Sequence, residues 1–179
     1  MHQSVRSEPI RVPEAIRLIA NSEDRQVAWQ FFVFFSRMEY ALKRSGRYLK
    51  AGARDGAEAN WKKFGSDHNS AFKAEASQDL NVAVGYFREH PPLKQVVNGG
   101  QLDWAQPPAY NEREPLLTWL VDRICCVRNN LFHGGKFQRI TISGSRDRDL
   151  IQNAIVILRA ALSLDSDVQE QFEREIDES

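Results

Sequence analysis

Residues 22–50 read SEDRQVAWQFFVFFSRMEYALKRSGRYLK, and whether this stretch is helix or strand decides the fold. Its centre, FFVFF at 31–35, has the composition of a strand. The whole segment, however, holds no proline and a single glycine, Gly46, and it is far longer than an ordinary strand, so a helix is predicted. Ser22 serves as N-cap, with Glu23 and Asp24 in the first turn, where acidic side chains favour the positive end of the helix dipole. Val27, Phe31, Phe34, Phe35, Met38 and Leu42 recur at helical spacing and form one apolar stripe, which Trp29, Phe32 and Val33 widen around the helix. A helix apolar on nearly all sides must be covered on more than one face, by its own bundle or by a second copy of the chain. A homodimer is therefore expected.

Outward from this helix, residues 1–9 read as a mobile lead-in, and a short helix over 14–20 follows Pro13. On the C-terminal side, residues 52–56 form a loop, and helical patterns occupy 57–64, 66–76 and 79–90. Pro91 and Pro92 end the last of these, because proline lacks the amide donor and clashes with the preceding turn. Asn98-Gly99-Gly100 is a turn, and the chain to Ala109, with Pro107 and Pro108, is loop. A second long helix is expected over 112–133, with Pro115 in its first turn, Leu117, Leu120, Val121, Ile124 and Leu131 inward, and Gly134-Gly135 as its stop. Residues 137–144 form an irregular connection with room for a short extended piece. A further helix carries Leu150, Ile151, Ala154, Ile155, Leu158, Ala161 and Leu162, and the acidic tail at 165–179 forms a last helix or frays. Strand alternation is nearly absent and no repeat is visible. The expectation is one all-α domain over 1–179, a bundle around two long core helices.

Composition narrows the function. With 42% hydrophobic and 27% charged residues the chain is an ordinary globular domain, and 24 basic against 24 acidic side chains exclude a polybasic protein that coats nucleic acid by bulk charge. The longest apolar run is far short of the roughly 20 residues of a membrane span, and MHQSVRSEP at the start has no apolar signal region, so a cytoplasmic protein with no membrane association is expected. Cys125 and Cys126 are adjacent, cannot bridge each other in a helix and cannot alone complete a zinc site, so they are expected to be reduced, buried thiols. Neither a metal nor a cofactor is expected.

The common catalytic signatures HExxH, CxxC, GxSxG and GxGxxG are missing. Gly135-Lys136 fails as the end of a P-loop, since the first glycine would fall at Asn130 and the residue after Lys136 is Phe137. What remains is VRNNLFHGGK at 127–136. Asn129 and His133 lie four residues apart and share a helix face, whereas Arg128 and His133 are offset by about 140° and about 7.5 Å of rise. One helix focuses the arginine and the histidine poorly, but two copies about a twofold axis can bring both pairs around one cleft. The residue types suit phosphodiester cleavage: a histidine exchanges protons near neutral pH, and an arginine holds the charge that builds on phosphate oxygens.

RNNLFHGGK resembles the R-x(4–6)-H motif of the HEPN superfamily, all-α domains that include many metal-independent endoribonucleases of toxin–antitoxin, phage-defence and CRISPR systems. The resemblance covers helix order from about Ser22 to Leu164 and, as motif, some ten residues. It implies that Arg128, Asn129 and His133 form a composite site at a homodimer interface. There an RNA 2'-hydroxyl would attack the adjacent phosphate and leave a 2',3'-cyclic phosphate. It also implies an RNA substrate and an antitoxin or other neutralising protein. One departure is Gly135, where relatives paired with nucleotidyltransferase antitoxins often carry tyrosine, so modification of that kind is not expected here.

Other candidates have simpler readings. Glu39 either orients Arg128 or His133, or pairs with Lys43 four residues on at the surface, and the surface pair is the simpler. His68 and His90 read as surface residues, and Trp61, Trp104 and Trp119 as core or interface rather than base-stacking groups. Lys136 and Arg139 are placed to contact RNA phosphates. Two further readings stay open: a non-catalytic module that binds RNA or a protein, and a structural dimer in which Arg128 and His133 are buried. Neutrality is a sum of unlike segments. Residues 36–63 hold eight bases against three acids, residues 123–148 six bases against Asp147, and residues 165–179 seven acids against Arg174.

Overall fold

The computed structural model describes residues 24–132 and 144–174. The long helix is present as α1, Asp24–Arg44. It buries Phe31, Phe35, Met38, Ala41 and Leu42 and half-buries Val27 and Phe34, as the stripe predicts. At about 1.5–3 kcal/mol for each large apolar side chain withdrawn from water, this stripe alone fixes the axis of the fold. The helix is shorter than expected because Gly46, at φ 71°, takes the left-handed conformation just past Arg44, and its amide donates to the Lys43 carbonyl. The described residues begin at Asp24, so the expected Ser22 cap and the 14–20 helix lie outside them.

After α1 the chain departs from the all-α expectation. Leu49–Ala51 (β1) and Ala57–Ala59 (β2) form an antiparallel hairpin in register Leu49↔Ala59, Lys50↔Glu58 and Ala51↔Ala57. A second hairpin pairs Lys94–Asn98 (β3) with Gln101–Ala105 (β4) around Gly99 and Gly100, both at positive φ. Two consecutive positive φ angles suit the right-handed twist of paired strands, so the turn read at 98–100 is a hairpin turn rather than the entry to a loop. The described residues are therefore mostly helical with two small two-stranded sheets. The predicted helix at 57–64 is corrected to β2 followed by α2, Trp61–His68, which Asn60 caps by accepting the Lys63 amide. The predicted helix at 66–76 is reduced to the end of α2 and a 3-10 turn, Ala74–Ala76.

The remaining helices are α3 (Gln78–Glu89), α4 (Leu116–Phe132), α5 (Gly144–Leu162) and α6 (Ser166–Glu173). Helix α4 begins at Leu116 rather than near Glu112, because the Asn111 side chain accepts the Arg113 amide and holds a local turn there. Its first turn is capped from a distance: Asn69, just past α2, accepts the Leu117 amide at 3.0 Å. Gly65 lets α2 approach α4 closely, since a Cβ at this position would lie 2.7 Å from the Thr118 Cα. Helix α1 packs on α5 and α6, α2 on α4, and α3 on α5. One continuous core joins them, and every inward residue expected of the α5 helix is buried in it. Within the acidic tail, Ser166–Glu173 forms a helix, α6, with Asp165 as its N-cap, and residues 175–179 lie outside the described residues. Among the described residues no helix is long and apolar enough to cross a membrane.

Candidate functional site

The end of α4 meets the middle of α1 around Arg128. The guanidinium lies over the Phe35 ring, 5.3 Å from its centroid, and donates from Nη2 to Glu39 Oε2 at 3.0 Å and from Nη1 to Asn129 Oδ1 at 2.9 Å. The Arg128 side chain keeps 35% of its exposure and that of Glu39 23%. An aromatic face, a carboxylate and an amide thus set the plane of a cation still open to solvent. These bonds use two of the five guanidinium donors. Glu39 also lies 4.0 Å from Lys43 Nζ, so the surface pair and the contact with Arg128 coexist on one carboxylate.

His133, Lys136 and Arg139 lie outside the described residues, and the contact between Arg128 and Asn129 is what the structure brings together of the RNNLFH pattern. Asn129 is exposed on α4, beside the arginine it accepts from. The following Asn130, which sequence reasoning passed over, is buried and donates from Nδ2 to the Leu93 carbonyl at 2.8 Å. Cys126, four residues earlier on the same face, reaches the same carbonyl with its Sγ at 3.4 Å. Together they pin the end of α4 to the chain that leaves α3. Nothing in the sequence signals this, because the acceptor is a backbone carbonyl. Burial, the largest influence on it, pushes the Cys125 thiol up to about 12, which leaves it protonated and unreactive at neutral pH.

A line of aromatic side chains leads to Arg128 along the seam of α1 and α4. Trp29 meets Phe32 at a centroid distance of 5.3 Å, and Phe32 meets Phe132 at 5.2 Å. Trp29 is 62% and Phe132 53% exposed. Of the other tryptophans, Trp119 is in the core and Trp61 stacks on Phe35, as expected of packing residues.

A second polar cluster corrects the reading of His68 as a surface residue. His68 Nε2 and the Tyr48 hydroxyl reach the same Asp165 oxygen, Oδ2, at 2.9 and 3.0 Å, and lie 2.9 Å from each other. Asp165 Oδ1 accepts the amides of Asp167 and Val168, so both carboxylate oxygens are engaged. Tyr48 is fully buried, edge-on to Phe64, with Arg47 and Lys63 over its ring and Asp67 bridging those two cations. Burial opposes the charge on Asp165, but the Val168 amide, the Tyr48 hydroxyl and His68 hold its carboxyl below the ordinary range. Burial first, then the bond to Asp165, pushes the Tyr48 hydroxyl well above its own. His90, in contrast, is exposed beside Tyr86, as expected.

Among the described residues no three His, Cys, Asp or Glu side chains converge to hold a metal ion. No family model matches the chain, and no curated protein or solved structure matches it either.

Proposed function

We propose that the chain is a metal-independent endoribonuclease of the HEPN type, acting as a homodimer with a composite site built from Arg128, Asn129 and His133 of both copies. The observation that carries this reading is the state of Arg128. It is 35% exposed near the C-terminal end of α4, and its orientation is set by Phe35, Glu39 and Asn129. A cation fixed before substrate arrives is what stabilisation of developing phosphate charge requires. Glu39 is then a positioning residue for Arg128.

In the proposed reaction the 2'-hydroxyl oxygen attacks the adjacent phosphorus, its proton leaving to a base, and the bond from phosphorus to the 5'-oxygen breaks as that oxygen gains a proton. The products are a 2',3'-cyclic phosphate and a 5'-hydroxyl end. His133, which follows the last residue of α4 in sequence, is assigned the proton transfers, and Arg128 the non-bridging oxygens. Lys136 and Arg139 would add phosphate contacts. The biological role implied is a toxin or phage-defence effector held in check by a neutralising protein.

One observation favours a second reading, a non-catalytic RNA-binding or protein-interaction module: Glu39 already neutralises Arg128. RNA incubated with the purified chain in EDTA separates the two. The nuclease reading expects cleavage that His133→Ala removes; RNA binding with no product in the wild type would instead establish the module.

A further inference from the structure

The seam between α1 and α4 changes character along its length. Near the start of α1 it carries Trp29, Phe32 and Phe132, with the outer two rings more than half exposed. One turn back along α4 from Phe132 comes Arg128 over Phe35, and beyond it Glu39 and Lys43. The sequence from Trp29 to Phe35, WQFFVFF, contains no carboxylate, so the aromatic end of the strip sets no negative charge of its own against an anion.

Large rings left open to water are costly unless something covers them, and here they end beside the Arg128 guanidinium, whose side chain is 35% exposed although it pairs with Glu39. That combination is complementary to an unpaired nucleotide, whose base offers a flat face for stacking while its phosphate seeks a positive group. Phe132 and Arg128 are one helical turn apart, about 6 Å, close enough for one nucleotide to reach both. A paired stem hides its base faces within the stack and offers mainly its shape and backbone.

We propose that Trp29 and Phe132 form a base-stacking platform that selects unpaired RNA nucleotides for the site at Arg128. This rests on the proposal that the site acts on RNA, and it adds which RNA and which residues choose it. The occupant is single-stranded RNA. A second copy of the chain seated on the same rings is the competing occupant, and the chemistry separates them: stacking needs an aromatic face, whereas a protein interface needs apolar area of either kind.

The test uses the full chain, with fluorescence-anisotropy titrations of a 2'-O-methyl single strand, which cannot be cleaved, and of its fully paired duplex. The wild type is expected to bind the single strand at least about tenfold more tightly than the duplex. Phe132→Leu and Trp29→Leu should each weaken single-strand binding by roughly tenfold, with Phe132→Tyr and Trp29→Phe close to wild type. Equal tolerance of leucine and of the aromatic replacements would overturn the platform, as would leucine variants that turn a dimer into a monomer in sedimentation while the affinity for RNA holds. Cleavage of unmodified RNA is scored separately. Aromatic-dependent binding without cleavage keeps the platform and removes the nuclease. Cleavage with affinity indifferent to these rings does the reverse, and no binding of either RNA removes both.

Discussion

The cluster of Tyr48, His68 and Asp165 and the cluster of Arg128, Glu39 and Asn129 each join segments far apart in sequence through a carboxylate, and they differ in how open to solvent that carboxylate's partners are. Asp165, 7% exposed, spends both oxygens on four donors from within the fold, and the histidine beside it is itself 13% exposed. Glu39 divides its oxygens between Lys43, 4.0 Å away, and an arginine that remains 35% exposed. A closed network of this sort fixes structure, since both carboxylate oxygens are engaged and little of the cluster meets solvent. An open one holds a charged group in place without using it up. A histidine in a polar constellation is thus no guide by itself to function in this chain: His68 is held by Tyr48 and Asp165 in a structural role.

The largest expected effect would come from breaking the closed cluster. Asp165→Ala leaves the Tyr48 hydroxyl and His68 facing a buried gap and removes the cap of α6, and should cost about 3–5 kcal/mol in urea unfolding. A loss under about 1 kcal/mol would show that the network does not lock the fold. Gly65→Ala, on the helix that carries His68, forces a methyl into the Thr118 backbone and should cost about 1–3 kcal/mol; an unchanged denaturation midpoint would mean that α2 and α4 do not meet so closely. Tyr48→Phe removes one donor and keeps the ring, and a loss near 1 kcal/mol is expected from the same measurement. The open cluster should behave oppositely. Glu39→Gln is expected to change stability by less than about 1 kcal/mol, yet to slow RNA cleavage because Arg128 loses its charged anchor; equal cleavage rates would remove Glu39 from any positioning role.

Acid should weaken the closed cluster. The folded state holds the Asp165 carboxyl below its ordinary range, so the unfolded chain takes up the proton first as pH falls. The stabilisation is fully present above the ordinary carboxylate range and is lost as pH drops through the lower folded value. Asp165→Asn should flatten the acid side of a stability profile, and an unaltered slope would show that this group does not drive the loss.

Much of the helical frame was legible. The stripe on α1 and the inward faces of α4 and α5 follow spacing alone, because a long amphipathic helix has one way to bury its apolar side. The hairpins were not legible in the same way. Ala57-Glu58-Ala59 has helical composition, and it becomes strand because Leu49–Ala51 lies across from it, a contact no local preference contains. At β3 and β4 the Asn-Gly-Gly turn was visible, but strands of five residues give too short an alternation to separate from loop. The site divides likewise. Arg128 and Asn129 could be singled out from chemistry and spacing, and Glu39 was named for the contact it makes, although a surface pair with Lys43 was the simpler reading. The buried role of His68 depends on Asp165, 97 residues away, and so escaped any local reading.

The central claim is a cation at Arg128 set in place for phosphate chemistry, and cleavage of RNA in EDTA by the wild type and by Arg128→Ala tests it most directly. The wild type should yield 2',3'-cyclic phosphate ends, and Arg128→Ala should cleave roughly 100-fold to 1000-fold more slowly while unfolding at nearly the same urea concentration. Equal rates for the two proteins, or wild-type products with ends other than the cyclic phosphate, would contradict it.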